Sequence, residues 1–234
     1  MTVVFMKRVF LLLAFIHVAL CLYSQDDVAD DGDHVLVTLN DGRVVEGYVQ
    51  TYWTQGKLFK RMNTSFTMSP KPDGENAEKY DADGVKAIDF VKKTSADGRY
   101  DHLESHLVAN PSTFSPRRVL RQFVCVEGEN AVGRMYWWNG VDSQKMQLGK
   151  MNISTIYGVC LRGDSVIVPF MTGNVVSLNA MRIRYKKTNP GLVDYVDRRI
   201  LKGGRRLWED MAYRPMLFLE ICEEYFSRQS AGRR

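Results

Sequence analysis

The sequence predicts a mainly β fold, α+β overall, in which two small antiparallel β-barrel-like or sandwich-like modules precede a C-terminal helical hairpin. Val35, Val37 and Leu39 recur at every second position, which is the period of a half-buried strand. The Asn40-Asp41-Gly42 turn that follows them is typical of a β-hairpin. From Pro190 onward the apolar residues recur instead at helical spacing. Apolar and charged fractions of 45% and 25% are those of an ordinary globular protein.

These patterns divide the chain into seven segments. They are a signal peptide (1–24), an acidic leader (25–33), a first β module (34–93), a linker (94–121), a second β module (122–187), C-terminal helices (188–227) and a tail (228–234). The leader holds five aspartates and no apolar periodicity, which predicts a flexible segment. The linker is placed where apolar content falls and where Pro111 and Pro116 occur.

The N terminus has the three parts of a secretory signal. Lys7 and Arg8 precede the apolar run 9–22, and Ser24 is a small residue at a suitable cleavage point. The run of 14 residues is shorter than the ~20 that cross a bilayer as a helix. Cys21 follows a bulky leucine, which disfavours a lipoprotein signal. We therefore expect a cleaved protein that is periplasmic or secreted, with lipidation as the less favoured alternative.

The remaining elements follow from the same periods. Further strands are predicted in the first module at 43–53, 58–59, 66–68 and 85–91, and in the second at 123–126, 133–138, 146–148, 153–161, 165–170, 175–178 and 181–185. One helix is predicted from Asn189-Pro190 to Gly203-Gly204, because Asn and Pro favour helix starts and Gly favours helix ends. A second helix is predicted from about Pro215 to Phe226.

The two β modules carry matching marks of an internal repeat. Two glycines five residues apart precede Tyr52-Trp53 in the first module, and two with the same spacing precede Tyr136-Trp137-Trp138 in the second. Each module also closes on an apolar run that ends in two lysines. Either a duplication or a chance recurrence of strand–turn–strand patterns accounts for this.

Two stretches, 39–49 (Leu-Asn-Asp-Gly-Arg-Val-Val-Glu-Gly-Tyr-Val) and 80–90 (Tyr-Asp-Ala-Asp-Gly-Val-Lys-Ala-Ile-Asp-Phe), carry a resemblance. They resemble the strand–DG turn–strand module of uncharacterised exported β-rich proteins of Bacteroidetes-type bacteria, over about a quarter of the chain. The resemblance implies a β-rich protein of the cell envelope and carries no catalytic residue. The same turn geometry occurs in Sm-like RNA-binding barrels, but the sequence has no RNA-contacting motif and export disfavours that role.

Charge and cysteines narrow the classes of partner. Residues 182–234 hold 13 basic and 7 acidic groups, a net of +6, while residues 25–181 have a net of −3. A basic C-terminal region could meet an anionic membrane surface, an acidic glycan or an acidic protein, or be a solvated helical face; export makes nucleic acid a poor candidate. After removal of the signal peptide Cys125, Cys160 and Cys222 remain; an odd number cannot form a complete disulfide framework, although Cys125 and Cys160 could pair.

The chemical motifs give no catalytic, metal or cofactor site. His102 and His106 would share one face of a helix, but the glutamate of a zinc-protease motif is missing after His102. The sequence also contains no Gly-x-Ser-x-Gly elbow and no phosphate-binding glycine loop. We therefore predict no catalytic residues, no metal ligands and no cofactor.

The aromatic residues give the best candidate for a binding surface. Along a strand Tyr136 and Trp138 point to one side and Trp137 to the other, so rings occupy both faces. Rings that neither helices nor the other module cover would stand exposed and could stack on a sugar or a peptide side chain. We predict an aromatic surface with a basic rim, formed by Tyr52, Trp53, Tyr136, Trp137, Trp138, Arg182, Arg184, Lys186 and Lys187.

These observations predict an exported cell-envelope protein that is a non-catalytic binding or structural module for envelope glycan or protein. The alternatives are an envelope hydrolase acting on glycan or peptide, and an envelope assembly or scaffold protein. A hydrolase needs a concave site with two carboxylates or a metal. A scaffold needs an exposed apolar patch on the terminal helices.

Overall fold

The computed structural model describes residues 28–52, 55–56, 60–61, 63–92, 101–109, 119–141 and 153–231, and the predicted signal peptide lies outside them. The strands in these ranges are β1 (Val28–Leu39), β2 (Val44–Tyr52), β3 (Gln55–Gly56), β4 (Lys60–Arg61), β5 (Ser65–Ser69), β6 (Glu78–Asp81), β7 (Val85–Lys92), β8 (His102–Ala109), β9 (Val119–Asn130), β10 (Gly133–Val141), β11 (Ile153–Leu161), β12 (Val166–Thr172) and β13 (Val175–Val176). The helices are α1 (Asn179–Tyr185), α2 (Pro190–Tyr213) and α3 (Met216–Ala231). No helix within the described ranges combines the length and the apolar character needed to cross a membrane.

Eleven of these strands form one sheet in the order β13-β12-β11-β10-β9-β8-β7-β1-β2-β5-β6, and β3 pairs with β4 separately. Neighbouring strands in this order are antiparallel. The hairpin between β1 and β2 turns at 40–42, where Gly42 has a φ of +87°. The predicted fold class, mainly β with C-terminal helices, is confirmed.

Strands β8 to β12 close into a ring, because β12 also pairs with β8. Val166 lies opposite Leu107, and Ile167 opposite Val108, in parallel register. Five strands of alternating direction bring the first and last into the same direction, so the closing pair has to be parallel. Side chains from all five strands fill the interior: Val108, Val124, Tyr136, Trp138, Ile156 and Ile167.

A glycine makes room for the largest ring in this interior. A Cβ added at Gly158 of β11 would lie 3.0 Å from a ring carbon of Trp138 and 2.7 Å from Cγ2 of Ile167. Both distances are shorter than carbon atoms tolerate in a packed core. Gly158 therefore allows β11 to pass close to the indole of Trp138.

Two further cores lie on the outer side of the ring. The first core joins strands β1, β2, β5 and β7 to the ring, where Phe66 meets Phe123 edge to face with ring centroids 5.6 Å apart. In the second core the helices pack on β10 to β12, and Phe218 of α3 stacks on Phe170 at 4.0 Å. The ring is thus covered on both sides.

The predicted linker contains a strand. His102–Ala109 is β8, and it pairs with β7, β9 and β12. Leu103 and Ser105 face the first core, where the Ser105 hydroxyl donates a hydrogen bond to the Ala82 carbonyl at 2.6 Å. This period-two pattern went unrecognised because a serine occupies a buried position and polar residues line the opposite face.

The last predicted strand of the second module, 181–185, is also wrong. These residues belong to helix α1, in which Met181 and Tyr185 are buried at i and i+4 while Ile183 is exposed. An apolar residue at every second position is ambiguous over so short a segment, and here the helical spacing prevailed.

Three element limits differ from the prediction. Strand β1 begins at Val28 inside the predicted flexible leader, and Asp33 is buried. Gly204, with a φ of +55°, interrupts α2 at the predicted helix end Gly203-Gly204, and a second helical part that the sequence did not predict continues to Tyr213. Helix α3 extends into the predicted tail as far as Ala231.

Candidate functional site

Two rings of the predicted aromatic surface lie in the core. Tyr136 and Trp138 are 2% and 3% exposed, because their rings fill the interior of the ring of strands. Trp137 points the other way and is half-buried against the first core. Tyr52 ends β2, and Trp53 lies outside the described residues. The prediction that Tyr136 and Trp138 stand on a binding surface is therefore wrong: this strand is covered on both faces.

The two arginines of the predicted basic rim form ion pairs within the protein. Arg182 donates to both carboxylate oxygens of Asp197, at 2.9 and 3.1 Å. Arg184 donates to both oxygens of Asp164, one of them at 2.6 Å. Lys186 and Lys187 are exposed beyond the end of α1. The two arginines therefore hold α1 to Asp197 and Asp164, and they do not form the rim of an aromatic surface.

A cleft of about 310 Å³, whose wall residues are mostly of polar and charged types, opens at one end of the ring of strands, and we call it the mouth cleft. Alternate side chains of each strand point into the ring of strands. Those near its open end are polar, and those deeper inside are apolar. Its wall residues come from β8 to β11 and from the turn after β11: His106, Glu129, Asn130, Gly133, Arg134, Tyr136, Cys160, Leu161, Arg162, Gly163 and Asp164.

One side of the mouth cleft holds a network of opposite charges. A carboxylate oxygen of Glu104 lies 2.6 Å from Nε2 of His106. Arg134 donates to Glu129 at 2.7 Å and lies 3.5 Å from the second oxygen of Glu104. The hydrogen bond to His106 lowers the pKa of Glu104 against the opposing effect of burial, and Arg134 adds to the lowering. The hydrogen bond to Glu129 in turn raises the pKa of Arg134.

The opposite side is anchored by Asp164. Its carboxylate accepts hydrogen bonds from Arg184, from the Tyr185 hydroxyl at 2.8 Å and from the Ser165 amide at 2.7 Å. Burial alone would raise the pKa of Asp164, but these hydrogen bonds outweigh burial and lower it to about 2. Burial and the same carboxylate raise the pKa of Tyr185. Asp164 therefore fixes the turn at the cleft rim to helix α1.

The cysteines lie apart and are held as thiols. Cys125 belongs to the first core and Cys222 to the second core, and Cys160 packs against the interior of the ring of strands. All three are free, so the bridge that Cys125 and Cys160 could have formed is absent. Burial raises the pKa of Cys160, Asp164 raises it further, and burial raises that of Cys222 to about 12. The Cys160 thiol donates to the Asp164 carbonyl at 3.4 Å.

His102, Glu104 and His106 share one face of strand β8, whereas a helix would place only His102 and His106 on one face. His102 lies 2.6 Å from Asp89 on the neighbouring strand, and Glu104 interacts with His106 and Arg134. Across the part of the chain that the structure describes, no three His, Cys, Asp or Glu side chains are grouped to hold a metal ion.

Sequence reasoning missed the mouth cleft as a whole. Its signal was the His102-x-Glu104-x-His106 spacing, which places three titratable side chains on one face of a strand. Arg134 and Asp164 gave no signal, because the contact of Arg134 with Glu104 and that of Asp164 with Arg184 join residues 30 and 20 positions apart. Comparison of the chain with protein-family models, with curated proteins and with solved structures finds no match to any of them.

Proposed function

We propose that this protein is an exported, non-catalytic cell-envelope binding module that holds a polar group of an envelope glycan or protein in the mouth cleft. The observation that carries the proposal is a concave, polar site built on the ends of rigid strands. Its acidic and basic side chains are oriented by one another before any ligand arrives. Such preorganisation lowers the entropic cost of binding.

The protonation states favour binding over hydrolysis. A glycosidase needs one carboxyl group whose raised pKa keeps it protonated as a general acid. The pKa of Glu104 and that of Asp164 are both lowered, so these groups stay ionised at neutral pH. The raised pKa of Cys160 likewise keeps its thiol protonated and a poor nucleophile.

One observation favours assembly or scaffolding as a second candidate. Leu201 and Tyr213 of α2 are 75% and 92% exposed, and Trp208 of the same helix is also exposed. Lys202, Arg205 and Arg206 lie between them. An apolar and basic helix surface fits contact with an anionic membrane surface or an acidic protein.

Capture of envelope material by matched variants tests the binding role. His106→Ala removes one wall of the mouth cleft, and His34→Ala removes a similar pair, since His34 lies 2.7 Å from Glu46 on the first module. Purified protein, His106→Ala and His34→Ala are immobilised and exposed to envelope extract and glycan panels, after circular dichroism has shown that each folds.

We expect the unaltered protein and His34→Ala to capture the same ligand and His106→Ala to lose it. Equal capture by all three proteins would contradict the mouth cleft as the site. Capture that is lost only on Trp208→Ala would favour the scaffold role instead.

A further inference from the structure

All but one of the charged side chains at the mouth cleft have a partner of opposite charge. Arg134 is paired with Glu129 and Glu104, and Asp164 is paired with Arg184. Arg162 also lines the cleft, yet no side-chain acceptor lies within hydrogen-bond or ion-pair distance of it among the described residues. The cleft therefore offers one unpaired guanidinium group at its rim.

This arginine projects from a fixed piece of backbone. Its amide donates to the Val132 carbonyl at 2.8 Å, and the Asp164 amide donates to the Leu161 carbonyl at 2.9 Å, which closes the turn. Gly163 occupies the position of the turn that requires a positive φ, here +88°. Because Asp164 is also tied to α1, the turn presents Arg162 in a defined direction.

Side chains that can form hydrogen bonds with hydroxyl groups also line the cleft. Glu129 gives Arg134 one carboxylate oxygen, and its other oxygen has no hydrogen bond within the part of the chain that the structure describes. His106 also lines the cleft; Glu104 holds its Nε2, whereas its Nδ1 has no hydrogen bond within the described residues. Asn130 is occupied, because its amide group donates to the Leu219 carbonyl and to Glu223 of α3. Hydroxyl groups of a ligand would therefore meet Glu129 and His106.

Two large apolar residues of the cleft wall offer little surface to a ligand. Leu161 and Tyr136 both line the cleft, but both are buried. A peptide would gain little from such a site, since peptide recognition depends on pockets for its side chains. A sugar ring carries mostly hydroxyl groups, which are the groups that Glu129 and His106 can bind.

We propose that the mouth cleft binds an acidic sugar unit of a glycan, with the carboxylate of a uronic acid on Arg162 and ring hydroxyls on Glu129 and His106. Two parallel N–H···O bonds join a guanidinium to a carboxylate and fix its orientation. This inference rests on the proposed function, because it names the ligand class of the same cleft.

Calorimetric titration with a pair of saccharides tests the inference. The probes are an oligosaccharide that contains glucuronic acid and its counterpart with glucose in that place. The purified protein is compared with Arg162→Gln and with Arg198→Gln, which removes an exposed arginine of α2 outside the cleft. We expect the protein and Arg198→Gln to bind the acidic saccharide at least about tenfold more tightly than the neutral one. Arg162→Gln should lose this preference and keep the weaker binding.

The other outcomes separate the two proposals. Equal binding of both saccharides, or an unchanged preference in Arg162→Gln, overturns the acidic-sugar inference. If the protein binds neither saccharide but captures a peptide or another glycan that His106→Ala loses, the acidic-sugar inference fails and the binding role stands. If no ligand distinguishes the protein from His106→Ala, both proposals fail.

Discussion

The first module and the ring of strands use the same alternation to different ends. In the first module a strand buries one face, as β1 does with Val35 and Val37, while His34 on the other face stacks on Tyr48 near solvent. In the ring, β10 buries both faces: Tyr136 and Trp138 inside, Met135 under the helices. A closed and doubly covered strand leaves no free face for a ligand. What remains open is the end of the ring, where the polar mouth cleft lies.

Truncation of two adjacent tryptophans tests this difference most strongly. Trp138→Ala should lower the free energy of unfolding by about 3–5 kcal/mol, because it leaves a large cavity inside the ring. Trp137→Ala should cost less, about 1–3 kcal/mol, since that indole is only half-buried against the first core. Urea unfolding followed by far-ultraviolet circular dichroism measures both values. Equal losses in the two variants, or a smaller loss for Trp138→Ala, would contradict a closed ring interior.

The sequence was sufficient for the fold class and insufficient for the closure. Local preferences signal the strand at Val35 and Val37 and the helix start at Asn189 and Pro190. The strand includes its predicted residues, and the helix begins where predicted. Closure depends on Leu107 meeting Val166, which are 59 positions apart, and no local pattern records such a pairing. Without closure, Tyr136-Trp137-Trp138 looked like a strand with one spare face.

The mouth cleft could not be predicted for the same reason. The mouth cleft is formed where β8, β10 and the turn after β11 converge, so its residues share no motif along the chain. The alternation of His102, Glu104 and His106 was visible, but their stretch was assigned to a linker and considered as a helix. Recognition of Leu103 and Ser105 as the buried side of a strand would have placed all three on one polar face.

Acid sensitivity distinguishes the rim of the ring from the surface of the first module. The pKa of Asp164 lies near 2, below its ordinary value of 3.8, so its ionised form stabilises the fold. This contribution is complete above about pH 5 and is lost as the pH falls through 4 toward 2. Asp164→Asn should therefore reduce stability at pH 7 by about 1–2 kcal/mol after solvent screening, and by little at pH 2.

Urea unfolding of both proteins between pH 2 and pH 7 measures the change at Asp164. Asp41→Asn is the control, because Asp41 pairs with Arg43 on the exposed hairpin of the first module and should alter stability much less. A stability difference between the protein and Asp164→Asn that stays constant with pH would contradict the assigned role of this carboxylate.

The smallest expected effect compares two His–Glu pairs of similar length. Glu104 lies 2.6 Å from His106 at the mouth cleft with its side chain 23% exposed, whereas Glu46 lies 2.7 Å from His34 with its side chain 65% exposed. Glu104 is less exposed to solvent and also lies 3.5 Å from Arg134, so Glu104→Gln should cost about 1 kcal/mol at pH 7 and Glu46→Gln close to nothing. The lowered pKa of Glu104 means that the cost shrinks as the pH falls below its ordinary value of 4.5. Urea unfolding at low and at high salt measures the loss of stability in each variant. Salt should abolish the loss in Glu46→Gln at a lower concentration than the loss in Glu104→Gln. Equal costs with equal salt dependence would mean that the mouth cleft is as open to solvent as the face of the first module, and the preorganisation assigned to its charges would fail.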